Sequence, residues 1–330
     1  MLFKTFGKNP AGKPFKNIEP TEMMLEDTSY LRMLIEFANK SKLIKPSRVL
    51  PAEKTNLIDL PAEKPTIVWF GHSSYLIKYQ GFTIMVDPVL FGPASPVSFI
   101  GKPFATSYVY QPDEIPNIDL LILTHDHYDH LSYKTIGLLK NKISKIITPS
   151  GVGSHLRYWG FNKKIITELS WQESTIIEPR FNLTAVPARH FSGRFLTRNK
   201  TLWSAYVLQL DRFKIFIGGD SGYDQQFKNV GSKYGPFDLA LLECGQYGKN
   251  WPYIHMFPEQ TAQAAADLQT KVLIPVHWAK FILSIHAWNE PPKRLIAAAE
   301  KFNYKIITPK IGAAFMLESD PTIDKWWDFE

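Results

Sequence analysis

Short apolar runs separated by turn residues recur along the chain from residue 66 onwards. Such runs, bounded by glycine, proline or polar residues, are typical of β-strands. They predict strands at Thr66–Phe70, Tyr75–Tyr79, Phe82–Val86, Leu120–Thr124, Ile146–Thr148, Thr184–Val186, Ala205–Leu210, Lys214–Ile217, Leu239–Leu242 and Val272–Val276. The run Leu120–Thr124 is apolar almost throughout, which indicates a strand buried on both faces.

A helical periodicity of apolar positions marks other segments. It predicts helices at Tyr133–Lys142, Pro258–Leu268 and Pro292–Lys301. The second helix opens with a proline, at the position where a missing N–H is tolerated. A further amphipathic helix is predicted over Tyr30–Ala38, inside an N-terminal extension of residues 1–62 that should pack on a main domain of residues 63–330. Strands interspersed with helices indicate a mixed α/β architecture.

The composition limits the chemistry that such a fold can carry. The chain has 330 residues, of which 45% are hydrophobic, and this is enough for a large core. Cys244 is its single cysteine, so an intrachain disulfide and a zinc site built from cysteines are both excluded. A metal would therefore have to be held by histidine and carboxylate side chains.

The formal net charge of the chain is +7. A basic balance fits nucleic acid, an anionic membrane or a phosphate-bearing substrate, but the lysines are scattered, which favours an ordinary solvated surface. We therefore expect a small-molecule or lipid substrate and no nucleic-acid partner, and homodimer formation stays open. The sequence shows neither a secretory signal nor a long apolar segment, so the expected location is the cytoplasm, with peripheral membrane contact left open.

The densest group of chemically active side chains is the run Thr124-His125-Asp126-His127-Tyr128-Asp129-His130, directly after a predicted buried strand. Imidazole and carboxylate are ligands that zinc, iron and manganese accept. His125 and His127 are two residues apart, so in an extended loop they point to the same side. Asp129 and His130 follow where the chain turns into a helix and approach from a second direction. A solvated polar loop seldom has this pattern, so the run predicts a metal site.

Further candidate ligands stand just beyond the ends of predicted strands. His190, Asp220 and His277 follow the apolar runs that end at residues 186, 217 and 276. Ligands bind at the strand ends of α/β sheets, so these side chains should meet the first group. Taken singly, each could be a buried packing histidine or a turn aspartate. Together with the first group they supply enough donors for two metal ions that share one carboxylate.

The run His125–His130 is identified as the HxHxDH motif of the metallo-β-lactamase superfamily, and His190, Asp220 and His277 stand in the order of that family's remaining ligands. The chain most resembles the bacterial relatives of N-acyl-phosphatidylethanolamine-hydrolysing phospholipase D, and in part the ascorbate-phosphate lactonases. The stretches outside the motif that carry this resemblance are Phe6–Pro10, Gly71–Ser73, Ala94–Pro96, Pro187–His190, Gly219–Tyr223 and His277-Trp278.

The resemblance implies a four-layer αββα metallo-β-lactamase sandwich, of the α/β class, with two divalent metal ions. Zinc is the favoured metal, with iron or manganese as alternatives. The resemblance places His125, His127 and His190 on one ion and Asp129, His130 and His277 on the other, with Asp220 bridging. Flavodiiron proteins have glutamate at the position of His127, and the commonest β-lactamases have cysteine at that of Asp220. Redox chemistry and antibiotic hydrolysis are therefore disfavoured.

Three further polar side chains are also candidates for the site. The resemblance puts His255 on the substrate side, where it could bind a phosphate oxygen or protonate a leaving group; the alternative is a loop histidine that caps a helix. Asp87 resembles the family's carboxylate that pins the metal-binding loop, with a turn aspartate as the alternative. His72 is predicted to support the metal ligands or to have a purely structural role.

The segment of residues 91–110 is rich in aromatic and apolar side chains among prolines and glycines. Phe99 and Phe104 are candidates for contact with substrate, because such a segment could form a wall for an acyl chain or a lip that faces a membrane. The alternative is a long loop that packs on its own side chains.

The predicted function is that of a dinuclear metal-dependent hydrolase, in which a metal-bridging hydroxide attacks phosphorus or a carbonyl carbon. Asp129, Asp220 and His255 are its candidate catalytic side chains. A phosphodiesterase of phospholipase D type, acting on a phospholipid-like substrate, is the favoured activity. A lactonase or other acyl hydrolase is the alternative, because it needs the same metals and a different pocket. A nuclease and a non-catalytic metal-binding protein rank lower.

Overall fold

The computed structural model describes residues 13–25, 29, 31, 35–36, 38–39, 41–319 and 324–329. The predicted helix at Tyr30–Ala38 falls largely outside these residues, and the stretch Phe6–Pro10 lies wholly outside them. The division at residue 62 between an extension and a main domain stays a prediction.

The strands of the described residues form two seven-stranded sheets. In chain order they are β1 (Thr66–Trp69), β2 (Tyr75–Tyr79), β3 (Phe82–Val86), β4 (Ile118–Ile122), β5 (Ile143–Pro149), β6 (Ile166–Leu169), β7 (Ser174–Glu178), β8 (Phe181–Val186), β9 (Ala205–Leu210), β10 (Phe213–Ile217), β11 (Leu239–Glu243), β12 (Val272–Val276), β13 (Lys305–Ile306) and β14 (Ala314–Met316). The first sheet has the order β14-β1-β2-β3-β4-β5-β6 and the second the order β13-β12-β11-β10-β9-β8-β7.

The α-helices of the described residues are short and lie between the strands. They are α1 (Tyr133–Leu139), α2 (Gly153–Tyr158), α3 (Gln226–Tyr234), α4 (Pro258–Asp267) and α5 (Glu290–Ala299), with 3₁₀ turns at Lys42–Ile44, Pro112–Glu114, Lys140–Lys142 and Lys163–Ile165. Helix α1 begins where the Ser132 side chain accepts a hydrogen bond from the Thr135 amide, a cap that satisfies one of the amides left free at a helix start. None of the described helices is long and apolar enough to cross a membrane.

Alternate residues of the strands enter different cores, because successive side chains of a strand point to opposite faces. From the first sheet, Ile67, Ile77 and Ile84 join Leu208 and Ile215 of the second in one core between the sheets. Their neighbours point the other way, towards the helices. Those of the first sheet pack with α1 and α2, and those of the second pack with α3, α4 and α5. The predicted αββα sandwich is therefore confirmed.

Six elements were not predicted from the sequence, because each lacks a strong periodic pattern: β6, β7, β13, β14, α2 and α3. Strand β7 lies at the edge of its sheet, and only Ile177 in it is buried. Strand β13 has two residues and is too short to show alternation. Helix α3 is mostly polar and includes Gly231, which packs against the backbone carbonyl of Asp267. These elements are set by pairing and packing with neighbours that are distant in the sequence.

The C-terminal segment closes the core between the sheets. Trp327 is buried in that core, and its indole Nε1 donates a hydrogen bond of 3.2 Å to Thr308 Oγ1. Trp326 stacks on Trp278 with ring centroids 5.6 Å apart. Since Trp278 follows His277 in the chain, the C-terminal segment supports the loop that carries a candidate metal ligand.

Replacing Trp327 by alanine should lower the free energy of unfolding by about 3–5 kcal/mol, because a large cavity would open in the core. Chemical denaturation measures the change. The matched control is Ile176→Ala, on the edge strand β7, where the side chain is 77% exposed; its change should stay within about 0.5 kcal/mol. Equal effects of the two substitutions would contradict the role of the C-terminal segment in the core.

Candidate metal centre

Strand directions bring the candidate ligands to one edge of the sandwich. In the second sheet, β10, β11 and β12 are parallel, and β8 runs in the same direction because β8–β9 and β9–β10 are both antiparallel. His190, Asp220 and His277 follow β8, β10 and β12, so they leave the sheet at the same edge. The run His125–His130 follows β4 of the first sheet. Four segments that are distant in the sequence thus meet.

The first group of ligand atoms belongs to His125, His127, His190 and Asp220, which offer atoms that all lie within 4.8 Å of one another. His127 Nδ1 is 2.9 Å from His125 Nε2 and 3.2 Å from His190 Nε2. The Oδ2 atom of Asp220 is 3.7 Å from the Nε2 atoms of both His125 and His190. Three imidazoles and a carboxylate converging in this way can hold a zinc-like cation.

The second group comprises His72, Asp129, His130 and His277, again within 4.8 Å. Asp129 Oδ2 is 2.9 Å from His72 Nε2 and 3.7 Å from His130 Nε2. His277 Nδ1 is 2.9 Å from Ser73 Oγ. His72 is thus closer to the second group than the sequence indicated, and its ring nitrogen is bound to the Asp129 carboxylate.

Asp220 lies between the two groups. Its Oδ2 atom is 3.1 Å from His130 Nε2, and its Oδ1 atom is 3.2 Å from His277 Nδ1. Yet Asp220 Oδ1 and His130 Nε2 are buried and have no hydrogen bond of acceptable geometry. Buried polar atoms without partners are costly, and a bound cation would satisfy both. The donor set therefore fits a metal centre in which one carboxylate faces both groups.

Burial and the carboxylates shift the pKa values of the candidate ligands in different directions. Burial lowers the pKa values of His125, His190 and His277 well below the usual value. Burial alone would raise the pKa of Asp220, but His130 and His277 hold it well below its usual range. Neutral imidazole and ionised carboxylate are the forms that coordinate a cation. Burial lowers the pKa of His130, but the Asp220, Asp129 and Asp87 carboxylates more than offset this and raise that pKa well above its usual value, so a cation that binds there must displace a proton.

Asp87 and Thr124 hold the metal-binding run in place. The buried Asp87 carboxylate lies 2.7 Å from His130 Nδ1 and accepts hydrogen bonds from the Thr124 amide (2.9 Å) and hydroxyl (2.5 Å). Gly219 has φ +60°, and a Cβ there would lie 2.9 Å from Thr124 Cβ. Only glycine fits this close approach of the Asp220 segment to the motif.

His72 and His277 link the two sheets through their backbones. The His277 amide donates to the His72 carbonyl at 2.9 Å, and the His72 amide donates to the Trp278 carbonyl at 2.8 Å. Both histidines have positive φ, +54° and +68°, a conformation that non-glycine residues seldom adopt and that tends to occur at functional sites. The link fixes His277 beside Asp220.

Asp126, inside the motif, does not belong to either group of candidate ligands. Its carboxylate instead binds the loop of residues 192–201. Its carboxylate accepts hydrogen bonds from the Gly193 amide at 2.7 Å and the Thr201 hydroxyl at 2.9 Å. His155 Nε2 is 3.0 Å from the same carboxylate. The loop of residues 192–201 is therefore tied to the motif and borders the site.

Asn17, from the predicted extension, supports His190. Its side-chain amide donates to the His190 carbonyl at 2.7 Å, and its Oδ1 accepts from the His190 amide at 3.1 Å. Nothing in the sequence around Asn17 signalled this contact, because the two residues are 173 positions apart.

His255 lies beside His190 of the first group and His277 of the second. It is paired with Glu243, which was not among the candidates predicted from the sequence. His255 Nδ1 is 2.6 Å from Glu243 Oε2. Burial lowers the pKa of His255, but the Glu243 carboxylate more than offsets this and raises that pKa to about 9. Glu243 is the last residue of the apolar strand β11. Because ligands bind at the strand ends of α/β sheets, its position in the sequence could have marked it as a candidate.

The two candidate aromatic residues differ in their surroundings. Phe99 is 73% exposed, whereas Phe104 is partly buried against the core between the sheets. The Phe104 amide donates to the Lys280 carbonyl at 2.7 Å. Neither Phe99 nor Phe104 belongs to the two groups of candidate metal ligands.

The fold and the convergent histidine and aspartate groups define a metal-dependent hydrolase. A family model described as the beta-lactamase superfamily domain matches residues 83–278. The chain belongs to this superfamily, as its motif indicated.

Relatives extend over most of the chain. An uncharacterised protein of Mycobacterium tuberculosis is 36% identical over 318 residues, which cover 95% of this chain and 85% of that protein. The mitochondrial N-acyl-phosphatidylethanolamine-hydrolysing phospholipase D of Saccharomyces cerevisiae is 32% identical over 256 residues, 74% of this chain and 54% of the yeast protein. The solved structure of a metallo hydrolase from Ignicoccus hospitalis superposes with a TM-score of 0.59 at 21% identity, covering 78% of this chain and 100% of that one.

Replacing Asp87 by alanine should leave three buried donors around His130 and Thr124 without an acceptor. We expect a loss of about 2–4 kcal/mol in the free energy of unfolding and zinc binding weakened about 10- to 100-fold. Denaturation of the metal-free protein and competitive zinc titration measure the two effects. Asp113→Ala, at an exposed aspartate, should change neither. Unaltered stability and affinity in Asp87→Ala would refute the pinning role.

Proposed function

We propose that the two groups bind two divalent cations, zinc in the first instance and iron or manganese as alternatives. His125, His127 and His190 would hold one cation, and Asp129, His130 and His277 the other, with Asp220 shared. His72 then supports Asp129 through their 2.9 Å contact instead of binding a cation itself. The observation that carries this proposal is the position of the Asp220 carboxylate, within 3.7 Å of ring nitrogens from both groups.

The chemistry proposed for this centre is hydrolysis. Bound cations would let water ionise near neutral pH and would offset negative charge on the reacting group. The carboxylates of Asp129 and Asp220 face the same space and would orient the attacking water. His255 has its Nδ1 occupied by Glu243, so its Nε2 is the atom left to bind a phosphate oxygen or to give a proton to the leaving oxygen.

The substrate class that we propose is a phosphodiester of phospholipid type. The support is the similarity to the yeast phospholipase D, which extends over 256 residues and so reaches well beyond the metal motif. A lactone or another acyl substrate would use the same metal centre with a different pocket, and the substrate assay below separates the two.

Peripheral contact with a membrane from the cytoplasmic side would suit such a substrate. Phe195 and Leu196, at the tip of the loop that Asp126 clamps, are 88% and 85% exposed. Arg194, beside them, places its guanidinium 3.9 Å from the centre of the Tyr128 ring, within the motif. Exposed apolar side chains beside the site are the support for this contact.

Elemental analysis after reconstitution should find about two equivalents of metal in the wild type. Asp220→Ala should reduce the metal content to one equivalent or less and lower turnover by at least about 100-fold, because the shared carboxylate serves both cations. Asp113→Ala, at an exposed aspartate, should keep both equivalents. A wild type that never exceeds one equivalent, or normal turnover in Asp220→Ala, would disprove the shared-carboxylate centre.

For a series of phosphodiesters with lengthening acyl chains, KM should fall with chain length. Burial of one methylene contributes about 0.8 kcal/mol, so the upper limit is about a fourfold change per methylene. Replacing both Phe99 and Phe104 by serine should flatten this trend while leaving a short-chain substrate unaffected. Ile176→Ser is the matched control, because Ile176 is exposed and lies on β7, the edge strand of the second sheet. Independence of chain length, or cleavage of lactones alone, would exclude a lipid substrate.

A further inference from the structure

Glu243 is a fully buried carboxylate at the end of β11, and the hydrolytic chemistry proposed above does not use it directly. Its Oε1 atom accepts hydrogen bonds from the Ser221 amide at 2.7 Å and the Met256 amide at 3.3 Å. Its Oε2 atom faces His255 Nδ1 at 2.6 Å. Burying a carboxylate is expensive unless its oxygens are satisfied, and here both oxygens have partners.

These partners fix the direction of the carboxylate. Ser221 follows Asp220 in the chain and Met256 follows His255, so the Oε1 atom ties the segment of the shared carboxylate to the segment of the histidine. Because two backbone amides hold Oε1, the carboxylate is oriented with Oε2 towards His255 Nδ1. A short hydrogen bond between ionisable groups is both strong and directional.

The His255 ring is held on its faces as well. It stacks on His277 with ring centroids 5.1 Å apart and an interplanar angle of 20°, and it packs on His190 at 5.0 Å. The ring therefore lies beside ligands of both groups. Its side chain is nevertheless 13% exposed, and Nε2 is the ring nitrogen on the other side of the ring from the one that Glu243 occupies.

We propose that Glu243 is a positioning residue, which keeps a proton on His255 Nδ1 and turns Nε2 towards the leaving oxygen of the substrate. This inference rests on the hydrolysis proposed above. In that reaction an oxygen from water forms the new bond to phosphorus, and the bond from phosphorus to the leaving oxygen breaks with its electron pair. Nε2 gives its proton to that oxygen and recovers one from water before the next turnover.

A rival role for the same residues is a further cation site, because Asp220, Glu243, His255 and His277 also offer atoms within 4.8 Å of one another. The contact between Glu243 and His255 argues against it. Oε2 and Nδ1 are 2.6 Å apart, a short hydrogen-bond distance, whereas the ring nitrogens of His125 and His127 in the first group are 2.9 Å apart. Asp220 and His277 moreover face the other two groups.

The experiment compares Glu243→Gln with wild type on two phosphodiesters, one with a p-nitrophenol and one with an alkyl alcohol as leaving group. A good leaving group needs no proton, whereas an alkoxide does. We expect kcat to fall about 100-fold for the alkyl diester and less than about threefold for the nitrophenyl diester, with KM little changed and two metal equivalents retained. Equal losses on both substrates, or the loss of one metal equivalent, would overturn the positioning role.

A double-mutant cycle separates positioning from general damage. If Glu243 acts only through His255, then Glu243→Gln should add nothing in a His255→Ala background. Additive losses would contradict the inference. His255→Asn provides a second route should Glu243→Gln fail to fold, because its amide can still bind Glu243 but has no Nε2. This variant should lose the same alkyl-diester turnover, and full activity would again overturn the proposal.

The hydrogen bond itself can be observed without any substrate. Proton NMR of the metal-loaded wild type should show a downfield imidazole N–H resonance that is missing from both Glu243→Gln and His255→Ala. Absence of that resonance from the wild type refutes the positioning role. Its presence in an enzyme that cleaves neither diester would refute the phosphodiesterase proposal while leaving the pairing intact.

Discussion

The carboxylate of Asp220 lies buried between two groups of histidines, and most of the architecture around the centre serves to keep it there. A charge at such depth is tolerated only if it is surrounded by compensating groups. Four histidine rings place a nitrogen within 3.7 Å of its oxygens. Those rings come from the loops after β4, β8 and β12, so neither sheet could form the centre alone.

Several unusual local features follow from that convergence. Gly219 is required because the Asp220 segment passes against Thr124 with no space for a side chain. His72 and His277 have positive φ angles at the place where backbone hydrogen bonds join the two sheets. Asp87 is buried because His130 needs an acceptor on the side away from the centre. The two positive-φ histidines and the close contact at Gly219 therefore lie where the two sheets meet.

The surroundings of the centre differ in how firmly they are held. Asp126 ties the loop of residues 192–201 to the motif, and Asn17 ties the N-terminal segment to His190. The tip of the same loop leaves Phe195 and Leu196 in solvent. The candidate metal centre is thus bordered by a loop that is anchored at its base and exposes apolar side chains at its tip.

The sequence alone determined the strands with strong apolar runs and the superfamily motif, and it predicted the candidate ligands that follow strand ends, because burial and coordination chemistry leave local patterns. It could not reveal the short or edge strands β6, β7, β13 and β14, whose residues carry little alternation. It also missed Glu243 and Asn17, and it placed His72 only loosely. Their roles depend on partners that are distant in the chain: Asn17 reaches His190, and Glu243 reaches His255 only because β11 and the loop before α4 fold against each other. Contacts between such distant residues are fixed by tertiary packing, which a local pattern does not record.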